Sequence, residues 1–163
     1  MRAEGTVEVA ASPDTAWVAV TDPSVIVACV PGVEGVSVEA VGPATFRLRT
    51  RIGQGLLSLP VDARGELSDL ERPVRGTCTI SASMAGNALE GVIHVALSEA
   101  GPCTRAAWDA EVTLRGPLAG IAGQLVEREA PGLIERTIAC LRERIEADEA
   151  GRSGAAAGPH AAP

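Results

Sequence analysis

The feature that most constrains the fold is a change of hydrophobic period at Pro117. Before it, apolar and polar residues alternate over long stretches, as in "TFRLRTRI", which predicts strands with one covered face and one wet face. After it, apolar residues recur at helical spacing: Leu118, Ile121, Leu125, Leu133, Ile134, Ile138, Leu141 and Ile145. A sheet and a helix that each carry one apolar face are expected to bury those faces against each other.

The element order follows from turn and capping residues. A first strand in "GTVEVAA" precedes two short helices, which start after Ser12 and Asp22 because each is a capping residue followed by proline. Six alternating segments separated by turn residues predict antiparallel hairpins. Pro131 is expected to bend the last helix without dividing it. The predicted fold class is α+β, a seven-stranded curved antiparallel sheet wrapped around a long C-terminal helix.

Composition bounds the domain and its partners. Residues 1–149 are predicted to form one domain large enough to enclose a cavity, and residues 150–163, rich in Gly and Ala, a disordered tail. The net charge is −7 and lysine is absent, which argues against nucleic acid as a partner. No apolar run approaches the length of a membrane span, so we expect a cytoplasmic protein with at most peripheral or indirect membrane contact.

Residues that could carry catalysis or hold a metal are sparse. The four cysteines have no metal-ligand spacing and are predicted to be reduced, packed thiols. His94 falls on the outer face of its strand, with Asp109 outward on the neighbouring strand, and no pocket is expected there. Cys29, before Pro31-Gly32, is interpreted as the corner between a helix and a strand. We therefore predict neither a catalytic site nor a metal site.

Strand parity indicates which residues would line a cavity between the sheet and the helix, if one is present. With two Trp, one Phe and no Tyr in the chain, its lining should be mostly aliphatic and suited to a hydrophobic ligand. For any one of these residues, simple core filling is the favoured interpretation, because apolar periodicity indicates burial and not a ligand. The predicted lining residues are Leu48, Leu59, Ile80, Met84, Ile93, Trp108 and Val112 from the strands, with Ile121 and Leu125 from the helix.

Two further groups of residues have competing interpretations. Gly120 and Gly123, one helical turn apart, would let the helix approach the sheet or leave room at a cavity mouth. Arg47, Arg49 and Arg51 form a basic stripe on one strand. Cross-strand pairing with Asp62 and Glu66 is favoured for this stripe, and a docking surface for an acidic partner or anionic headgroups is the alternative.

One segment resembles a known family. In "TAWVAVTDPSVIVACVPGVEGV", the residues Trp17, Asp22, Pro23, Cys29, Pro31, Gly32 and Glu34 are similar to the pattern of the carbon monoxide dehydrogenase G-subunit family, within the START-like (SRPBCC) superfamily with its helix-grip fold. "GPLAGIAGQLV" is similar to the start of the family's last helix. The resemblance extends from about Gly5 to Ile145. The chain departs from it at Pro131 and in lacking an apolar membrane segment in its tail.

The resemblance implies a non-catalytic accessory protein without a covalent cofactor. It would bind a respiratory quinone such as menaquinone, or another isoprenoid or lipid, and work with a molybdenum-containing carbon monoxide dehydrogenase or related hydroxylase. It would link that enzyme to the inner face of the cell membrane. The corner of Val30, Pro31, Gly32 and Val33, with Gly120 and Gly123, would flank the cavity entrance as a gate. The alternatives are an enzyme of the polyketide cyclase/aromatase type, using Thr50, Thr104 and Trp108, and a ligand-free structural adaptor.

Overall fold

The computed structural model describes residues 1–53 and 58–156, apart from the side chains of residues 118, 121–123, 125, 126 and 156. The elements in chain order are β1 (Arg2–Val9), α1 (Pro13–Val20), α2 (Pro23–Ala28), β2 (Val33–Ala40), β3 (Thr45–Ile52), β4 (Leu59–Glu71), β5 (Arg75–Met84), β6 (Asn87–Ala100), β7 (Cys103–Arg115) and α3 (Pro117–Ala156).

The described strands form one seven-stranded sheet in the order β1-β7-β6-β5-β4-β3-β2. Every neighbouring pair is antiparallel, and β1 and β2 are the edge strands. Five of the six pairings join strands that are consecutive in the chain, and β1 instead joins the last strand, β7. The predicted fold class is confirmed in its strands, its two short helices and its long C-terminal helix.

Both short helices begin where their capping residues predict. The Ser12 hydroxyl accepts a hydrogen bond from the backbone N–H of Thr15 at 3.2 Å, and the Asp22 carboxylate accepts one from that of Ser24 at 2.9 Å. In each helix a proline takes the first position, where its missing N–H leaves no bond unmade. α2 ends at the cap residue Cys29, as expected from the Pro31-Gly32 turn that follows.

One side of the sheet, here the inner face, is turned toward α3. Residues directly opposite in an antiparallel pair share a face, so the register defines rows that run across the strands. One inner row consists of Phe46, Gly65, Ile80, Gly91 and Val112. A second row consists of Leu67, Cys78, Ile93, Ala110 and Ala3. The strand residues that the alternation assigns to the covered side of the sheet therefore lie on the inner face.

Each of the chain's three aromatic side chains lies against a strand glycine. A Cβ built at Gly65 would overlap the Phe46 ring, and one at Gly5 would lie 2.8 Å from Cζ2 of Trp108. The third aromatic, Trp17, places Cη2 3.3 Å from a Cβ built at Gly76. Because glycine has no side chain, each ring can lie directly over a strand on the inner face. Sequence periodicity alone did not reveal these pairings.

α3 is one continuous helix of 40 residues with Pro131 inside it, as predicted. At 1.5 Å per residue such a helix is about 60 Å long. It continues to Ala156, beyond the predicted domain boundary at residue 149. The rest of the predicted tail, residues 157–163, lies outside the described residues.

Two carboxylates hold the C-terminal half of α3 against the start of α1. Glu149 accepts hydrogen bonds from the hydroxyls of Thr15 and Ser12, and Glu146 accepts one from the backbone N–H of Ala10 at 3.0 Å. The bond from Thr15 holds the pKa of Glu149 below its usual value, and the bond from Ala10, followed by Arg142, does the same for the pKa of Glu146. Both contacts therefore favour the ionised carboxylate.

The prediction of four reduced cysteines is wrong for two of them. Cys29 and Cys140 form a disulfide with a Cα–Cα distance of 5.5 Å. They are 111 residues apart, so no local spacing could indicate the pair, which forms because the fold brings the end of α2 against α3. Cys78 and Cys103 are free thiols, as predicted.

Candidate ligand site on the inner face

Two packed clusters lie at opposite ends of the inner face. The first surrounds Trp17, with Val9, Leu97 and Ile145 among its buried members. The second consists of Phe46, Leu48 and Ala63. Between them, inner-face residues of β6 and β7 that belong to neither cluster are only half-buried: Leu89, Ile93, Trp108, Ala110, Val112 and Leu114. Apolar groups that the core leaves partly uncovered are the surface that a hydrophobic ligand would use.

The predicted lining residues fall into distinct places. Leu48 is buried in the second cluster and Ile80 packs against it, so both belong to packed core. Ile93, Trp108 and Val112 are half-buried in the central region, and Met84 is half-buried at the end of β5. Leu59, at the start of β4, is 39% exposed and lies outside the enclosed part of the face. Ile121 and Leu125 lie on α3, but their side chains are outside what the structure describes.

A cavity of about 750 Å³ opens at the β5–β6 turn; we call it the hairpin cavity. Its lining includes the apolar side chains of Met84 and Val61 and the charged side chains of Arg49, Asp62 and Arg115. Asn87, 4% exposed, donates to the backbone carbonyls of Met84 and Ala85 and fixes the turn. This volume is within the range of small-molecule sites. Sequence patterning did not identify Asn87, because an asparagine beside Ala-Gly indicates only a turn.

The buried polar groups of the inner face are occupied in holding the fold. The hydroxyl of Thr50 donates to the carbonyl of Glu34 at 2.8 Å, and that of Thr104 donates to the carbonyl of Ala11 at 2.7 Å. Among the described residues, the buried polar side chains are Thr15, Thr50, Asn87 and Thr104, and none is ionisable. The part of the inner face that the structure describes therefore provides apolar contact, and its buried groups include no titrating acid or base.

The basic stripe is paired in part. Arg47 makes a two-point contact with Asp62, with Nε–Oδ1 at 3.0 Å and Nη2–Oδ2 at 2.5 Å, and Nε of Arg49 lies 3.8 Å from the same carboxylate. The hydrogen bond from Arg47 holds the pKa of Asp62 below its usual value. The predicted pairing is confirmed for Asp62 and wrong for Glu66, because the register sets Glu66 opposite Thr45. The Asp62 carboxylate thus lies within ion-pair distance of both Arg47 and Arg49.

The predicted gate is a turn that joins the sheet to α2. The N–H of Gly53 donates to the carbonyl of Gly32 at 3.0 Å, and Val33 pairs with Ile52. Gly32 has a φ of +78°, a conformation that favours glycine. A Cβ built at the exposed Gly120 meets nothing within 4 Å. The interpretation that this glycine lets the helix approach the sheet is therefore wrong, and the interpretation that it leaves room at a cavity mouth stays a prediction. The Gly123 side of the gate lies outside the described side chains.

The outer face carries a second depression, of about 720 Å³, lined by His94, Asp109, Glu4 and Asp69 among others. His94 is outward and exposed, opposite Asp109 in the register, as predicted, and its Nδ1 lies 3.0 Å from the Thr77 hydroxyl. The expectation that no pocket accompanies this pair is wrong.

Within the described residues, no group of three or more His, Cys, Asp or Glu side chains is placed to hold a metal ion.

A curved antiparallel sheet that wraps a long C-terminal helix defines the START-like, helix-grip class, and solved structures share this fold. A conserved protein from Geobacillus kaustophilus matches with a TM-score of 0.76 at 19% identity, covering 89% of this chain and 95% of that one. A START superfamily protein from Mycobacterium smegmatis matches with a TM-score of 0.63 at 20% identity, covering 89% and 97%. The Zhui aromatase/cyclase from Streptomyces sp. R1128 matches with a TM-score of 0.64 at 16% identity, covering 98% and 99%.

The chain belongs to the carbon monoxide dehydrogenase G-subunit (CoxG) family, which matches residues 5–146. The family resemblance stated from the sequence is therefore confirmed. No curated protein matches the sequence significantly. In the part of the chain that the structure describes, no helix combines the length and apolarity needed to cross a membrane.

Proposed function

We propose that this protein is a non-catalytic accessory protein that holds a hydrophobic molecule between the inner face and α3. The observation that carries the proposal is the half-buried apolar region of β6 and β7, which lies between two packed clusters. A respiratory quinone such as menaquinone fits this chemistry, because its ring and isoprenoid tail need apolar contact and no buried counter-charge.

The partner in this proposal is a molybdenum-containing carbon monoxide dehydrogenase or a related hydroxylase. Membership of the CoxG family supports it. Pull-down of the hydroxylase subunits by the full chain tests it, and their absence at a salt concentration that preserves weak complexes would contradict it.

The link to the membrane is part of the same proposal. Arg49 and Arg115 line the hairpin cavity, each within 4 Å of one carboxylate, and Ile52 and Leu59, each 39% exposed, pair at the nearby ends of β3 and β4. Guanidinium groups beside exposed aliphatic side chains suit an anionic lipid surface. Such a contact would place the end of the inner face that carries the hairpin cavity against the membrane, where a dissolved quinone could reach the inner face.

Ligand binding is tested by native mass spectrometry and solvent extraction of the purified protein, followed by titration with menaquinone. Ala110→Phe fills the central inner face, whereas Ala107→Phe, on the exposed outer face of the same strand, is the matched control. We expect binding to be lost in the first variant and kept in the second. Protein that carries no ligand and fails to bind added menaquinone would contradict the ligand proposal and favour a structural adaptor.

The runner-up function is an enzyme of the polyketide cyclase/aromatase type. The fold shared with the Zhui aromatase/cyclase favours it. The hydroxyls of Thr50 and Thr104, which such an enzyme could have used, donate to backbone carbonyls instead. Turnover of a linear polyketide mimic by the purified chain would establish this alternative.

A further inference from the structure

The Cys29–Cys140 disulfide joins two elements that enclose the inner face from different sides. Cys29 is the C-cap of α2 and is 5% exposed, whereas Cys140 is half-buried on α3. The chain continues from Cys29 into the corner of Val30–Val33, which is bonded to the end of β3 through Gly32 and Gly53. α2 and this corner, here the α2 segment (residues 23–33), therefore form a bridge between the sheet and α3.

Apart from the disulfide, the helical part of the α2 segment is weakly held. α2 has six residues, none of them buried, and helices this short do not persist without tertiary contacts. Val25 packs toward the Trp17 cluster and Val27 toward the Phe46 cluster, both only half-buried. Of the hydrogen bonds and ion pairs found among the described residues, none joins α2 to α3. The disulfide is thus the main tie between these two helices.

We propose that this disulfide is a redox-controlled latch that fixes the α2 segment over the inner face and slows the exchange of the bound hydrophobic molecule. Its regulatory role rests on the proposed ligand function. The reductant is a dithiol protein or small-molecule dithiol. Its thiolate attacks the sulfur of Cys140, the less buried partner, and Cys29 leaves as a thiolate that takes up a proton. The second thiol of the reductant then releases Cys140 as a thiol, and the reductant becomes a disulfide.

The two remaining cysteines, Cys78 and Cys103, do not interfere with reduction and reoxidation of the Cys29–Cys140 disulfide. Burial raises the pKa of Cys78, which keeps its thiol protonated and a poor nucleophile toward the disulfide. Cys103 lies at the start of β7 in the β6–β7 turn, and its partner across the strands is Ala100. Cys103→Ser is therefore a matched control that removes a thiol and leaves the latch intact.

The test compares the full-length protein oxidised with glutathione disulfide and reduced with dithiothreitol. Alkylation after denaturation should modify two cysteines in the first state and four in the second, and four in both states would overturn the proposal. In hydrogen–deuterium exchange we expect the amides of residues 23–33 to exchange at least about tenfold faster after reduction. Acceleration no greater there than in the sheet strands would overturn it.

Variants and ligand kinetics complete the test. Cys140→Ser should reproduce the reduced pattern under oxidising conditions, and Cys103→Ser should behave like the unaltered protein. Menaquinone preloaded into the protein should dissociate about tenfold faster from the reduced form, which corresponds to a dissociation barrier lower by about 1.4 kcal/mol. Equal dissociation rates in the two states would overturn the latch. If the amides of residues 23–33 exchange hydrogen faster after reduction but neither state binds menaquinone, the result supports the latch and overturns the proposed function.

Discussion

The contact between Phe46 and Gly65 provides the sharpest test of how the inner face is packed. A Cβ at Gly65 would lie 2.6 Å from both Cε atoms of the Phe46 ring, closer than real Cβ atoms approach. Both residues are in paired central strands, so neither can move away without disturbing the sheet. We therefore expect Gly65→Ala to lower the free energy of unfolding by about 1–3 kcal/mol through overpacking.

The same substitution should have a different effect once the ring is removed. In a Phe46→Leu background the clash is gone, and alanine is favoured over glycine within a strand by about 0.5–1 kcal/mol. The two effects predict a coupling free energy of about 1.5–4 kcal/mol between the two positions, a size expected for residues in contact.

Urea unfolding of the four proteins of this cycle measures the coupling, with an unchanged m-value as evidence that the denatured state is not altered. Gly5→Ala is the control, because its neighbour is Trp108 and its cost should be the same in both backgrounds. Equal costs of Gly65→Ala with and without the Phe46 ring would refute the packing described for the second cluster.

Three further predictions test separate features. The pKa of Glu149 is lower in the folded protein than in the unfolded chain, so its ionised carboxylate stabilises the fold. This stabilisation is complete above the usual carboxyl pKa of about 4.3 and is lost as the pH falls through the lower folded-state pKa. Glu149→Gln should therefore flatten the pH dependence of thermal unfolding in that acid range. Gly120→Ala should raise the free energy of unfolding by up to about 1 kcal/mol, because a Cβ there meets open space; a lower melting temperature would contradict this. Arg49→Glu should weaken sedimentation with anionic vesicles. Arg105→Glu should leave it unchanged, because Arg105 lies near the start of β7 and Arg115 at its other end; equal losses would argue against the hairpin cavity as the membrane contact.

Much of the fold could be predicted because it depends on local signals. The alternation of apolar residues fixed the face of each strand, and Ser12 and Asp22 marked the starts of both short helices. Turn residues gave the hairpins, which account for the pairings between consecutive strands. These signals are read within a few residues of where they act.

The features that were wrong or missed depend on distant contacts. The Cys29–Cys140 bond spans 111 residues, and the rings that lie over Gly65 and Gly5 come from other strands, so no local pattern reveals them. The register sets Asp62 opposite Arg49 and diagonal to Arg47, and it sets Glu66 opposite Thr45. The division of the inner face into packed ends and a half-buried centre likewise depends on how α1, α2 and α3 cover the sheet.

The central claim is that the half-buried centre of the inner face holds a hydrophobic molecule. Trp108 lies in that region, and quinones quench tryptophan fluorescence at short range, so titration with a short-chain menaquinone reports on it directly. We predict saturable quenching at one molecule per chain, most of it lost in Trp108→Phe while native mass spectrometry still shows the complex. Fluorescence that does not change, together with no mass shift at saturating menaquinone, would contradict the claim.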